Sequence, residues 1–119
     1  MMQSIVKSIG AEAINKEEPL LILFDTSATE ALKKHAIIQE FEEQEIKEVK
    51  VGDMIRFDEQ EYRVIQVGPV ANQHLKAMGH VSIVFKNSEE EDQLANALYV
   101  EPFVLPVVKQ GTIITYGVE

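Results

Sequence analysis

Three histidines, His35, His74 and His80, are the side chains of this 119-residue chain best suited to chemistry near neutral pH. There is no cysteine, which removes thiol nucleophiles, disulfides and cysteine-ligated zinc. His80 follows Gly79 at the head of the apolar run "HVSIVF". A glycine lets the chain turn sharply and hold an imidazole at a strand mouth. There it could serve as a nucleophile or as a hydrogen-bonding partner of a phosphoryl group. The same placement suits a histidine that only ties down a turn. His74 stands beside Leu75 on a predicted helix, where half-exposed packing is the expected role. His35 follows Lys33 and Lys34, and its positive form suits a helix C-terminus.

Other chemistries find little support. No H-E-x-x-H occurs, and no two histidines lie three or four residues apart, so no metal site is expected. The acidic run "SEEEDQ" (88–93) lacks the glycine and spacing of a calcium loop and reads as solvated charge. Gly52 and Gly68 stand alone, without a phosphate-cradling pattern, and read as turn or bulge residues. No serine sits in a nucleophile-elbow context. With 20 acidic residues, close carboxylate pairs are expected by chance. No cofactor is implied.

The elements that must position these groups are short. β-like segments fall at 4–9, 19–24, 35–41, 53–57, 61–67, 80–85, 97–105 and 112–118. The run 19–24 is apolar throughout, as in a strand covered on both faces, while 80–85 alternates as in a half-buried one. "DEQ" (58–60) reads as a hairpin turn. Ser27 and Glu30 have capping-box spacing and predict a helical turn or two within 26–35. Val70, His74, Leu75 and Met78 have helical spacing, and Gly79 stands where a helix stops. The stretch 40–50 reads as an exposed strand or a solvated connection, and 87–97 as a charged surface excursion. The fold class expected is all-β, a small closed or nearly closed barrel with one or two short helical turns, in one domain over 1–119. Strand edges left open would allow two protomers to pair.

The balance of 20 acidic against 11 basic residues gives a net charge of −9. That argues against nucleic acid and anionic lipid surfaces, and permits a basic protein partner. No apolar run approaches the roughly 20 residues of a membrane span, and no signal-peptide pattern opens the chain. A soluble cytoplasmic protein is expected.

The segment "VGPVANQHLKAMGHVSIVF" (67–85) resembles the glucitol/sorbitol-specific enzyme IIA family of the phosphotransferase system. The residues that carry the likeness are Val67, Gly68, Val70, Ala71, Leu75, Gly79, His80, Val81 and Phe85, with Met78 where the family has leucine. "SIGAEAI" (8–14) and "LLILF" (20–24) resemble the family's N-terminal segments. The resemblance implies a phosphoryl relay from the histidine-containing carrier protein HPr to a IIB domain, serving a sugar-alcohol transporter of IIB/IIC type. Carried over residue by residue, the family's phospho-accepting histidine falls on Gln39, within "HAIIQEF". Glutamine cannot carry a phosphoryl group. His35 and His80 are the candidate substitutes. An unbroken strand would place His35 about 13 Å from Gln39 on the same face. Three readings follow: a relay through another histidine, a IIA-like protein that keeps the fold and partner surface without carrying phosphate, and a small barrel binding module.

Overall fold

A computed structural model describes residues 2–42, 47–87 and 94–118. Eight strands close into a barrel: β1 Met2–Ile9, β2 Leu20–Phe24, β3 Ile37–Phe41, β4 Met54–Phe57, β5 Gln60–Val67, β6 Val81–Val84, β7 Ala97–Glu101 and β8 Ile113–Val118. Their order around the wall is β1-β3-β2-β6-β7-β5-β4-β8, and β8 pairs back onto β1. The expected barrel is therefore present and closed. Closure pairs the strand edges that, if left open, would have allowed two protomers to pair.

Two of the eight pairings are parallel, β2 with β3 and β6 with β7. Each joins strands that follow one another in sequence, so each needs a crossover rather than a hairpin. Residues 25–36, with the short helix α1 (Glu30–Lys33), make the first. Residues 85–96 make the second, and the acidic run 88–93 lies outside the described residues, as do 43–46 of the 40–50 stretch. β4 and β5 form the expected hairpin. Phe57 pairs with Gln60, and Asp58 takes φ 56°, a left-handed conformation that aspartate tolerates in a tight turn.

Alternate residues face inward, as the strand period requires. Leu21, Leu23, Ile37, Ile55, Phe57, Val64, Val81, Ile83, Leu98 and Ile114 fill the barrel. The helix α2 (Ala71–Met78) follows β5 and closes one end by burying Ala71 and Leu75 in that core. At the other end Leu105 and Val108 pack against the core, and the Gln60 carboxamide holds Val107 through both of its backbone groups.

The sequence expectations hold for α2, which ends at Gly79 with φ 57°. Several boundaries differ. The N-cap of α1 is Thr29, whose hydroxyl accepts from the Leu32 amide. Ser27 is instead drawn to the Asp25 carboxylate, which accepts from both its amide and its hydroxyl. β3 starts at Ile37 because the chain is still turning before it, with the His35 amide donating to Leu32. β7 ends at Glu101, since Pro102 has no amide for the ladder. β2 is covered on both faces only in part: Leu21 and Leu23 are buried while Leu20, Ile22 and Phe24 are half-buried. β6 is buried at all four residues, because Val84 joins a second apolar cluster with Ala97 and Tyr99 outside the barrel.

Among the described residues no helix is long and apolar enough to cross a membrane, and no group of three histidine or acidic side chains is placed to hold a metal.

Candidate functional site

Gln39 lies on the inward face of β3, two residues beyond Ile37, and is fully buried. Register brings it two hydroxyls. Ser4 lies on β1, which pairs with β3, and Tyr116 lies on β8, which pairs with β1. Ser4 Oγ donates to Gln39 Oε1 at 2.7 Å, and the Tyr116 hydroxyl donates to the same oxygen at 2.6 Å. Gln39 Nε2 donates to the Gly79 carbonyl at 3.0 Å, at the C-cap of α2. That carbonyl can only accept, so the network itself fixes which way the carboxamide points. The side chain ties three strands to the helix that closes the barrel.

Burial pushes the Tyr116 hydroxyl pKa well above its ordinary value of 10.0, and its bonds with Gln39 and Ser4 pull it back only in part. The folded state thus holds this proton more tightly than the unfolded chain does. Stability from this group is complete below pH 10.0 and is lost as pH rises above it. Denaturant titrations should show stability falling by up to roughly 1.4 kcal/mol per pH unit on that alkaline limb. Tyr116→Phe should flatten the limb while leaving Tyr62, whose pKa burial also raises, to contribute its part. An unchanged limb in Tyr116→Phe would contradict the assignment.

His80 directly follows the Gly79 that Gln39 holds, but its ring stands on the other side of the wall. It stacks on Phe24, a member of an outer apolar cluster, with centroids 3.9 Å apart and planes 13° from parallel. His74 of α2 stacks on it from 5.9 Å. His80 Nδ1 lies 3.0 Å from the Leu23 carbonyl, across the register that pairs Leu23 with Val81. A carbonyl only accepts, so in the neutral ring the proton sits on Nδ1 and the lone pair on Nε2. Asn96 Nδ2 lies 2.8 Å from Nε2, where it donates to that lone pair. His74 Nδ1 is buried without a partner.

His35 does not share the face of Gln39. It is exposed, two residues before β3 begins, and its Nδ1 lies 3.5 Å from the Glu12 carboxylate. The strand that was to carry it onto that face is not continuous. The three residues expected to matter are therefore separated: Gln39 inside, His80 on the outer wall, His35 in a surface turn. Ser4, Tyr116, Phe24 and Asn96 were not anticipated. Ser4 and Tyr116 carried a signal, since each is a polar residue at an inward slot of an alternating strand. Asn96 carried none.

The profile of the family described as "PTS system glucitol/sorbitol-specific IIA component" matches residues 1–115. Among solved structures, a PTS system IIA component from Enterococcus faecalis V583 is similar at 36% identity and a TM-score of 0.93, covering 98% of this chain and 100% of that one. No curated protein matches.

Proposed function

Since the chain belongs to the glucitol/sorbitol-specific IIA component family of the phosphotransferase system, we propose that it serves a sugar phosphotransferase system as a IIA barrel that docks the system's proteins and carries no phosphoryl group. Gln39 carries this reading. It occupies the position to which the resemblance assigns the phospho-acceptor, a carboxamide has no nitrogen lone pair free to attack phosphorus, and its hydrogen bonds with Ser4, Tyr116 and Gly79 serve the fold. His35 is an exposed side chain in a turn, with the Glu12 carboxylate beside it, whose charge opposes the approach of an anionic phosphoryl group. The partners are HPr and a IIB/IIC transporter component for a sugar alcohol, and the charge of −9 favours encounter with basic surfaces.

A second reading, the full relay from HPr to IIB, is favoured by one observation. The Leu23 carbonyl holds the Nδ1 proton of His80, which leaves Nε2 as the nucleophilic nitrogen. In that relay the Nε2 lone pair attacks phosphorus, the N–P bond of phospho-HPr breaks, and the carrier's imidazole leaves with the bonding pair. Asn96 must first release Nε2, which costs about one hydrogen bond, or roughly 1 kcal/mol. That cost does not forbid the step. What weighs against it is placement: the half-buried ring is stacked on Phe24 and beside His74, away from Gln39.

Titration with HPr and with a IIB domain tests the docking claim. Saturable binding is expected. Absence of binding to both at high concentration would return the chain to the third reading, an independent binding barrel. Phosphoryl labelling separates the first two readings.

A further inference from the structure

We infer that residues 47–50 form a strap that opens locally, without unfolding of the barrel, and that Asn72 is the clasp that sets how often it does so. The strap crosses the end of the barrel closed by α2. It has no strand or helix pairing of its own. One side chain plugs it in: Val49 is buried in the barrel core. One side chain clips it down: Asn72 of α2 accepts from the Val49 amide at 2.7 Å and donates to the Val49 carbonyl at 2.9 Å, imitating a strand partner. Among the described residues the remaining holds are peripheral, from the Lys47 amide to Met2 Sδ, from the Lys50 amide to the Asp53 carboxylate, and from the Asp53 amide to the Lys50 carbonyl.

Clefts lie on both sides of it. One, of about 210 Å³, is bounded by Met2, Tyr116 and Gly117. The other, of about 290 Å³, runs along the Pro69, Asn72, Gln73 and Lys76 face of α2. Lys47 and Glu48 line both, so the strap is the wall between them. Lifting it joins the two into one groove that reaches Tyr116, the residue bonded to Gln39. The terms that oppose opening are one buried valine and a few hydrogen bonds. The term that favours it is the backbone freedom of four residues. These are of similar size, which is the condition for a segment that opens below the threshold of global unfolding.

Amide hydrogen exchange on the full chain tests this, with nitration of Tyr116 by tetranitromethane as the second readout. In the unmodified protein the amides of Lys47, Val49 and Lys50 should exchange together and faster than those of β1 and β8. In Asn72→Ala all three should speed up by about tenfold, although only Val49 was bonded to Asn72. Tyr116 should nitrate faster, with Tyr62 and Tyr99 unchanged. Acceleration confined to the Val49 amide, an equal acceleration of the β1 and β8 amides, or unchanged Tyr116 nitration would overturn the inference. Val49→Ala removes the plug instead of the clasp and should give the same pattern, so a folding failure of either variant leaves the other decisive.

Discussion

Gln39→Leu should destabilise the barrel by about 2–4 kcal/mol, although it nearly conserves side-chain volume and places an apolar group in an apolar interior. The expected loss is polar in origin. The substitution removes the acceptor shared by the buried Ser4 and Tyr116 hydroxyls and the donor to the Gly79 carbonyl. Each buried orphan costs about 1–3 kcal/mol, and the buried leucine returns part of the sum. Chemical denaturation should show a lower midpoint at unchanged slope. The double variant with Tyr116→Phe should be less harmful than the sum of the two single changes, because the phenylalanine removes one orphan. Strict additivity, or a neutral Gln39→Leu, would mean that the network contributes nothing.

A comparable loss is expected from one added methyl group. A Cβ at residue 10 would collide with the carbonyl oxygens of Lys33 and Lys34. Both are backbone atoms at the end of α1, and the same place is pinned by the Gly10 amide on Ala36 and the Glu12 amide on Lys34. No side chain can rotate out of the way. The end of β1 and the end of α1 must part, and Gly10→Ala should cost about 3 kcal/mol. A loss below about 0.5 kcal/mol by thermal or chemical denaturation would contradict this close approach.

Much of the architecture was legible in the sequence because short alternating runs, few helical patterns and a glycine stop at Gly79 agree with one another. The likeness at 67–85 then made the family legible. What was hidden depended on tertiary pairing. Nothing local says that Asp25 takes Ser27 and leaves Thr29 to cap α1. Nothing local says that β2 and β3 run parallel, the crossover that keeps His35 in a turn. Position 39 was singled out by the family resemblance, and its inward direction follows from Ile37. Its partners lie 35, 77 and 40 residues away in sequence and appear only once the barrel closes. The network also explains why glutamine fits there. Two hydroxyl donors and one carbonyl acceptor suit a side chain with one accepting and one donating atom. The carboxamide oxygen has two lone pairs and takes both hydroxyls, whereas a neutral imidazole offers a single accepting lone pair beside its one donor.

The central claim is that this chain keeps the IIA barrel without the phosphoryl group. Incubation with phosphoenolpyruvate, enzyme I and HPr, followed by a search for acid-labile phosphohistidine, tests it most directly. The account predicts labelled HPr and an unlabelled chain. Stoichiometric label on the chain would contradict it. If that label were lost in His80→Ala and kept in His35→Ala, it would establish the relay through His80 in its place.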